Sequence, residues 1–403
     1  MKQTNMPELS SGIKSVIIVS SLTLLSLSAI FSCKKTESIT QVPKIAQIVF
    51  TSDQHYGLTR SFRGTPNTDA STVNKELVKQ INSLVTTSFP NDGGLNAGKT
   101  ISYIDYVVVT GDITTREVSP VQSATASWAQ FTNDYINGIT LKNQINSKVE
   151  FLLTPGNHDV SNAIGYTKTM SPATDNAALF NIYNYMYNPS SFKTKTTYNY
   201  NTDKINYSAD VFGVHLMFIN MWPDSTAQIW MQKDLAAISS TVPAIIFTHD
   251  QPECEAKHFT NPNGTHNINS TDKFENMVPE RLKDGTTTSA STVLEQKNLV
   301  SFLKSHANIK AYFHGNDNRN EFYVYKGPDN DINLNVFRVD SPMKGTITGI
   351  DAANGIGDET KLSFQVIVID NNTKTLTVRE CLWNTSGASS PLVWGTSSTI
   401  SLN

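Results

Sequence analysis

Short, continuous apolar runs recur along most of the chain, and each ends in a cluster of polar residues. Runs of Val, Ile and Phe of this length are typical of strands that are buried on both faces of a sheet. Such runs predict central strands at residues 45–55, 104–112, 150–159, 213–220, 243–250 and 309–318. Segments with helical hydrophobic spacing lie between these runs, at residues 72–85, 127–137, 226–238 and 292–306. This alternation predicts a layered α/β domain.

The remaining stretches follow different patterns. Residues 335–403 contain strand-like runs with no helical segment between them, and we expect them to complete a second sheet of the same domain. Two polar stretches, at about residues 160–207 and 251–291, each follow a strand that carries a motif, and we expect them to be insertions that rim the functional site. Residues 45–403 are therefore expected to form one domain.

The N-terminus has the pattern of an export signal. A polar stretch is followed by an apolar run at residues 15–33, which is too short and too rich in serine for a good membrane span. The small residue before Cys33 resembles the lipidation site of bacterial lipoproteins. We expect residues 1–32 to be removed, Cys33 to carry the lipid and residues 33–44 to form a tether. An exported lipoprotein at the outer membrane, the cell surface or the periplasmic side is thus predicted, and an ordinary signal peptide cut nearby is the alternative.

Composition narrows the class of protein. Apolar residues make up 38% and charged residues 17% of the 403 residues, which fits a polar globular protein and not a disordered, coiled-coil or multi-span membrane protein. The formal net charge of −3 shows no basic surplus, which disfavours a dedicated nucleic-acid binder. The three cysteines are too few for a disulfide scaffold. We expect Cys254 and Cys381 to be separate thiols, with a disulfide between them as the alternative.

Residues that can bind metal ions follow five of the six predicted strands. The carboxyl ends of such strands form the edge at which open α/β sheets bind ligands. These residues are Asp53 and His55, Asp112, Asn157 with His158 and Asp159, His249, and Asn316 with Asn318. Asp53 and His55 are two positions apart and point to the same side of an extended segment, so we expect them to share one ion. Asp112 is expected to bridge two ions, the second of which Asn157 and His249 would bind.

This set of residues predicts a two-metal hydrolase. Two divalent ions about 3.5–4 Å apart bind a phosphoryl group and turn a bridging water into hydroxide near neutral pH. His158 is expected to act as the general acid or to stabilise the phosphate, with Asp159 holding its tautomer. Gln251 and Asn320 are weaker candidates for substrate contact. His258 lies in the second insertion, where we expect a solvated loop residue.

Together these motifs resemble the calcineurin-like metallophosphoesterase superfamily, with its DxH, GD, GNHD, H and GHxH motifs. The segment Gly315–Phe322 is similar to the GHDHxN[DE]F ending of the branch related to purple acid phosphatases. The resemblance spans about residues 45–380 and implies a four-layer αββα sandwich of mixed sheets, with the metals at the carboxyl ends of the central strands. The ligands that it implies are Asp53, His55 and Asp112 for the first metal and Asp112, Asn157 and His249 for the second.

The last motif departs from the family's pattern, because Asn316 and Asn318 stand where the family has one histidine for each metal. A carboxamide oxygen is a neutral, harder and weaker ligand than imidazole. We therefore expect two divalent ions among Mn, Mg, Ca, Fe and Zn, with the harder ions favoured, or only one ion. His314 is one candidate to replace the lost histidines. Thr115 stands where the purple branch has an iron-binding tyrosine, which disfavours a purple Fe(III) site.

The expected function is hydrolysis of phosphoric esters by a secreted, lipid-anchored enzyme. Its substrate would be a phosphorylated small molecule or a nucleotide, with monoesters slightly favoured over diesters. One alternative is a catalytically impaired surface lipoprotein that binds phosphate or sugar, because of the two asparagines in the last motif. Another is hydrolysis of a sugar or sulfate ester on the same scaffold. The sequence indicates neither nucleic-acid specificity nor a protein partner.

Overall fold

A computed structural model describes residues 45–115, 122–161, 172, 176–261, 274–283, 291–343, 357–387 and 390–403. The predictions for residues 1–44, which include Cys33 and the tether, lie outside the described residues. Within the described part of the chain, no helix is long and apolar enough to cross a bilayer.

The described residues form sixteen strands and six α-helices. The strands are β1 (Ile45–Thr51), β2 (Thr59–Phe62), β3 (Thr65–Asp69), β4 (Tyr106–Val109), β5 (Glu150–Leu153), β6 (Tyr207–Val211), β7 (Val214–Phe218), β8 (Ala244–Phe247), β9 (Phe259–Thr260), β10 (Val278–Arg281), β11 (Ile309–His314), β12 (Glu321–Tyr325), β13 (Leu334–Arg338), β14 (Ser363–Asp370), β15 (Thr375–Leu382) and β16 (Val393–Ser401). The helices are α1 (Ala70–Asn82), α2 (Ala124–Phe131), α3 (Asn157–Val160), α4 (Leu179–Tyr187), α5 (Ser225–Leu235) and α6 (Val293–Ser305). Short 3₁₀ turns lie at Ser83–Thr86, Ala256–His258 and Glu359–Lys361, and a π-helical turn at Thr132–Ile136 continues α2.

Twelve of the strands form two mixed sheets of six strands each. The first sheet has the order β16-β15-β14-β1-β4-β5, in which β1, β4 and β5 are parallel. The second has the order β12-β13-β11-β8-β7-β6, in which β7, β8, β11 and β13 are parallel. Each of the six predicted central strands is present, three in each sheet.

The C-terminal strands do not all complete the second sheet, so that prediction for residues 335–403 was wrong in part. Strand β13 joins the second sheet, but β14, β15 and β16 extend the first. The connection is the antiparallel pairing of β14 with β1, in which Ile48 lies opposite Ile367. Alternation of apolar residues determines which face of a strand is buried, but it does not specify the partner strand.

The two sheets pack face to face around an aromatic core. Phe218, Phe247, Phe313 and Phe337 lie on neighbouring strands of the second sheet, and their rings stack with centroids 4.7–5.2 Å apart. Phe50 on β1 meets Phe247 and Phe313 edge-on from the first sheet. Helices α1 and α2 cover the outer face of the first sheet, and α5 and α6 cover that of the second. This is the predicted αββα sandwich.

Helix α1 illustrates why the segments between the strands are helical. Val73, Leu77 and Ile81 recur every four residues, and all three are buried against the first sheet. At the start of the helix, the Asp69 carboxylate accepts a hydrogen bond of 2.9 Å from the backbone N–H of Thr72. The amphipathic pattern thus places one face of the helix on the sheet.

The two predicted insertions contribute packed elements. The first contains α4, which packs on the first sheet through Leu179 and Ile182. The second contains the pair β9–β10 and the turn Ala256–His258. His258 is fully buried, with a carboxylate on each side of its ring, so the expectation of a solvated loop residue was wrong.

Candidate metal centre

The parallel strands of both sheets end at one polar cleft of about 420 Å³. Loops after β1, β4 and β5 of the first sheet, and after β8 and β11 of the second, carry the predicted site residues. Those that line the cleft are His55, Asp112, Asn157, His158, Asn316 and Asn318. The cleft is thus the edge at which the sequence pattern placed the ligands.

Asp112 lies at the centre of the cluster. One of its carboxylate oxygens, Oδ2, is 3.5 Å from His55 Nε2, and the other, Oδ1, is 3.5 Å from His249 Nε2. His55 Nε2 is also 3.7 Å from Asp53 Oδ1. The ligand atoms of Asp53, Asp112 and His249 lie within 4.8 Å of one another, as do those of His55, Asp112 and His158. Two groups of candidate ligands therefore overlap at Asp112.

The side-chain carboxamide of Asn157 lies in the same cluster as Asp112 and His249. Its oxygen lies 3.2 Å from His249 Nε2 and within hydrogen-bonding distance of both carboxylate oxygens of Asp112. With the amide reversed, its nitrogen would donate to these same three atoms. Only the orientation that directs the oxygen inward offers a ligand atom to a cation, whereas the reversed amide satisfies these atoms by hydrogen bonding. The donor set thus fits divalent metal ions.

The imidazoles of His249 and His55 each have a contact at the ring nitrogen that faces away from Asp112. His249 Nδ1 lies 2.7 Å from the carbonyl oxygen of Thr110, so Nδ1 carries the hydrogen and Nε2 faces the cluster. His55 Nδ1 lies 3.4 Å from Thr115 Oγ1, which leaves His55 Nε2 directed at Asp112. Thr115, which stands in the place of the iron-binding tyrosine, therefore contacts the candidate ligand His55.

Excess negative charge determines the electrostatics of the cluster. Burial would lower the pKa of His249, but the carboxylates of Asp112 and Asp53 raise it to about 9. A proton on the imidazole then offsets part of the negative charge. Divalent cations would replace that proton, because metal binding requires the neutral ligand and releases protons.

Asp159 does not make the predicted contact with the ring of His158. Its carboxylate accepts hydrogen bonds from the backbone N–H groups of Ile113, Thr114 and Gly156, at 3.1, 2.9 and 3.0 Å, and from the Thr114 hydroxyl at 3.1 Å. The carboxylate therefore ties the loop after β4 to the loop after β5. The prediction failed because helix α3 turns successive side chains away from each other.

The two asparagines of the last motif line the cleft in different ways. The Asn316 backbone N–H donates to Asp53 Oδ2 at 3.1 Å, and its amide nitrogen lies 3.2 Å from both Gln251 Oε1 and Glu255 Oε1. The Asn318 amide nitrogen donates to the carbonyl oxygen of Asn316 at 2.7 Å. Asn318 Oδ1 is buried and accepts no hydrogen bond from the described residues, so it is a donor atom that a cation could use.

The other candidates lie outside the cleft. Gln251 contacts Asn316, and Asn320 accepts a hydrogen bond of 2.8 Å from Gln365, and neither lines the cleft. His314 is fully buried, with Nδ1 2.9 Å from the carbonyl oxygen of Gly315, so it does not replace the lost histidines. His314 Nε2 lies 3.4 Å from the Tyr323 hydroxyl, and His314 does not line the cleft.

Several residues that line the cleft were not identified from the sequence. They are Leu58, Thr59, Glu255, Lys257, Asp317, Arg319 and Met343. Lys257 Nζ lies 2.7 Å from Glu255 Oε2, and Arg319 lies 3.8 Å from Asp317. Arg319 and Asp317 lie within the last motif, and the Lys257–Glu255 pair follows the fourth. Proximity to the motifs is therefore the one signal that could have suggested these two ion pairs.

The backbone of the site is unusual. Five of the predicted ligands have positive φ angles, in the left-handed region: Asp53 (59°), His55 (42°), Asp112 (49°), Asn316 (67°) and Asn318 (55°). Residues other than glycine rarely adopt this conformation, and it is concentrated at functional sites. These tight turns place the five side chains around the cleft within a few residues of the strand ends.

Two glycines allow the loops to approach one another. A Cβ atom at Gly156 would lie 2.3 Å from Asp112 Oδ1, and one at Gly315 would lie 2.4 Å from Asp53 Oδ2. Any side chain at either position would displace a candidate metal ligand. Gly156 and Gly315 therefore allow close packing against the loops that carry Asp112 and Asp53.

The chain matches a family model described as calcineurin-like phosphoesterase over residues 46–329. Since the match covers most of the sequence, the chain belongs to the calcineurin-like phosphoesterase family. Membership supports metal-dependent hydrolysis of phosphoric esters in general. No curated protein matches the chain by sequence.

Three solved structures illustrate its structural similarities. Purple acid phosphatase PPD1 from seeds of yellow lupin (Lupinus luteus) has 10% identity and a TM-score of 0.46, over 89% of this chain and 54% of that chain. A dimetal phosphatase from Danio rerio has 8% identity and a TM-score of 0.46, over 90% of this chain and 100% of that chain. Vps29 from Chaetomium thermophilum has 9% identity and a TM-score of 0.32, over 88% of this chain and 95% of that chain. The present chain spans about half the length of the lupin protein.

Proposed function

We propose that this chain hydrolyses the phosphoric ester of a small molecule or nucleotide, with monoesters favoured over diesters. The observation that carries the proposal is the convergence of ligands from both sheets on Asp112. When bound there, two divalent ions would activate a water molecule and offset the charge of the phosphoryl oxygens.

The residues proposed for the two metals share Asp112. The first set is Asp53, His55 and Asp112, and the second is Asp112, Asn157 and His249. Asn316 and Asn318 would supply the remaining carboxamide oxygens. Since oxygen atoms outnumber imidazole nitrogens in this set, the harder ions Mn, Mg and Ca are favoured over Fe and Zn. If the asparagines do not bind, one ion is expected.

His158 is proposed as the general acid or as a phosphate stabiliser. Its side chain is 18% exposed and lines the cleft, with Nε2 4.0 Å from Asp112 Oδ2. Its backbone N–H donates to Asp112 Oδ1 at 2.8 Å, which fixes the residue beside the proposed bridging ligand. From there the ring can give a proton to a leaving-group oxygen or donate a hydrogen bond to the phosphoryl group.

The dimensions of the cleft support a small substrate. Its volume of about 420 Å³ lies within the range of small-molecule sites. The preference for monoesters rests on the similarity of Gly315–Phe322 to the ending of the purple acid phosphatase branch.

The proposal includes export and anchoring by a lipid on Cys33, at the outer membrane, the cell surface or the periplasmic side. The support is the sequence pattern of residues 1–33. Incorporation of labelled palmitate into the chain tests it. Labelling should be lost in Cys33→Ala, and labelling that persists in this variant would reject Cys33 as the anchor.

A second candidate function is binding of phosphate or sugar without hydrolysis. It is favoured by the amide nitrogen of Asn316, which is shared between Gln251 and Glu255 in a way that restrains the side chain. A restrained carboxamide is a poor replacement for a histidine ligand, and weak metal binding would leave a polar cleft without catalytic power.

Metal content and turnover, measured together, decide between the two functions. The full chain is freed of metal, loaded with Mn²⁺, and assayed with nitrophenyl phosphate and its bis-ester. Two ions and faster turnover of the monoester support the proposal. One ion or none, with no turnover after loading with any of the five metals, rejects it.

Matched variants show whether the activity belongs to this site. Asp112→Asn should lose both metal and activity. Asp370→Asn changes a buried aspartate at the opposite end of the first sheet and should keep both.

A further inference from the structure

A second cluster of side chains that can bind a metal lies in the loop after His249. Asp250, Cys254 and His258 have ligand atoms within 4.8 Å of one another, and their exposed fractions are 0%, 6% and 0%. His258 Nδ1 lies 2.6 Å from Asp250 Oδ2, and Cys254 Sγ lies 3.3 Å from the same oxygen. None of the three lines the phosphoesterase cleft.

The other polar atoms of the cluster are arranged as around a metal site. Asp250 Oδ1 is buried and has no hydrogen-bond partner among the described residues, although the protein interior normally satisfies such atoms. The second ring nitrogen of His258, Nε2, lies 3.5 Å from Glu275 Oε2. Histidines that bind metals usually direct their second nitrogen to a carboxylate in this way.

A purely ionic arrangement explains only part of the cluster. A protonated His258 between Asp250 and Glu275 would offset both charges, and Lys257 lies 3.9 Å from Glu275. That arrangement leaves Asp250 Oδ1 without a partner and gives Cys254 little role. Cys254 nevertheless has a positive φ of 48°, a costly conformation for a residue other than glycine. The thiol of this residue contacts Asp250 Oδ2.

We propose that Asp250, Cys254 and His258 form a mononuclear metal site that is distinct from the phosphoesterase centre. The ligands are the Cys254 thiolate, His258 Nδ1 and the carboxylate of Asp250, and the carboxylate of Glu275 lies 3.5 Å from His258 Nε2. Binding releases the thiol proton and any proton held on Nδ1. Because thiolate is a soft ligand, the site takes Zn²⁺ or a related ion rather than Mg²⁺, Ca²⁺ or Mn²⁺.

Occupancy of this site would position part of the catalytic cleft. The loop that carries its ligands also carries Gln251 and Glu255, which accept hydrogen bonds from the Asn316 amide. An ion held by three points of this loop would fix both acceptors, and with them the orientation of Asn316.

Cobalt separates the two centres spectroscopically. The full chain, freed of metal, is titrated with Co²⁺, and the near-ultraviolet charge-transfer band from thiolate to cobalt is recorded. The phosphoesterase ligands include no cysteine, so this band reports the second site alone. We expect saturation at one thiolate-bound cobalt per chain, and absence of the band in the wild-type chain would overturn the proposal.

Cysteine variants show which thiolate gives the cobalt charge-transfer band. It should disappear in Cys254→Ser and persist in Cys381→Ser, which changes the other buried free cysteine, and in Cys33→Ser. Persistence in Cys254→Ser would overturn the assignment. The band should also persist in Asp112→Asn, so that failure of the phosphoesterase centre and failure of the second site are distinguished.

A measurement on the wild-type chain covers the case in which Cys254→Ser does not fold. X-ray absorption of the zinc-loaded chain should show a sulfur neighbour at about 2.3 Å. A zinc environment of nitrogen and oxygen alone would overturn the proposal.

Discussion

His249 and Thr110 lie in loops that leave different sheets, and the imidazole Nδ1 of His249 donates a hydrogen bond of 2.7 Å to the carbonyl oxygen of Thr110. His249 follows β8 of the second sheet, and Thr110 follows β4 of the first. The direction of His249 Nε2 towards Asp112 therefore depends on how the two sheets pack. The packing of the two sheets and the geometry of the candidate metal centre are thus physically coupled.

Replacing His158 by alanine should lower kcat by roughly 10²-fold or more, because the leaving group loses its proton donor. The metal content should stay unchanged, since the proposed ligands remain. Steady-state kinetics and elemental analysis of the same preparation measure both quantities. His306→Ala, which changes a histidine at the end of α6, is the control and should leave kcat unchanged. Unchanged kcat in His158→Ala would remove His158 from the mechanism.

Restoring the family's histidines should strengthen metal binding. In Asn316→His with Asn318→His, imidazole replaces two weaker carboxamide ligands, and the affinity for Zn²⁺ should rise by about an order of magnitude. Calorimetric titration of both chains with Zn²⁺ and Mn²⁺ measures the change. A lower metal content in the double variant would mean that positions 316 and 318 do not face the metals.

Asp159→Asn should weaken metal binding, although Asp159 is not itself a proposed ligand. The amide can accept fewer of the hydrogen bonds from Ile113, Thr114 and Gly156, and its NH₂ group would face those donors. We expect a loss of about 2 kcal/mol in the free energy of unfolding and weaker Mn²⁺ binding. Urea unfolding and metal titration measure the two effects. A stability loss with unchanged metal affinity would contradict the positioning role of Asp159.

The Asp92–Arg379 pair should give a pH-dependent contribution to stability. Arg379 is fully buried, and its Nε and Nη2 atoms donate to the two oxygens of Asp92 at 2.7 and 2.8 Å. These bonds lower the pKa of Asp92 from 3.8 to about 2. Because the folded state binds this proton less readily than the unfolded chain, the stabilisation is complete above about pH 4 and is lost as the pH falls through 2.

Because Asp92 is exposed and solvent screens the pair, Asp92→Asn should cost about 1 kcal/mol at pH 7 and about half as much at pH 3. Urea unfolding of both chains at each pH measures the difference. The control is Asp329→Asn, which breaks an exposed pair with Lys297 and should change stability little. If the loss of stability in Asp92→Asn is the same at both pH values, the Asp92–Arg379 pair does not cause the pH dependence.

The central strands could be predicted from the sequence because burial on both faces leaves long apolar runs. The helices could be predicted for a similar reason, as Val73, Leu77 and Ile81 of α1 show. The sheet to which β14, β15 and β16 belong could not be predicted. The pairing of β14 with β1 joins segments that are far apart in the chain, and nothing local specifies such a partner. Strands β15 and β16 then follow β14 into the first sheet.

The candidate ligands could be predicted because they follow predicted strands in recognisable motifs. The contacts of Asp159 could not, because they depend on how α3 turns its side chains. Glu255 and Lys257 were missed since they lie in a polar stretch without periodicity. Burial of Cys254 and His258 was missed for the same reason: their surroundings include Glu275, which no spacing rule connects to them.

The left-handed backbone at Asn316 and Asn318 bears on how this cleft could change its chemistry over time. Asparagine is the residue other than glycine that adopts this conformation most readily. An exchange between histidine and asparagine at these positions therefore leaves the course of the loop intact and alters only what the side chain offers to an ion. The course of the loop and the ligand atoms that it offers to an ion are therefore separable features of the cleft.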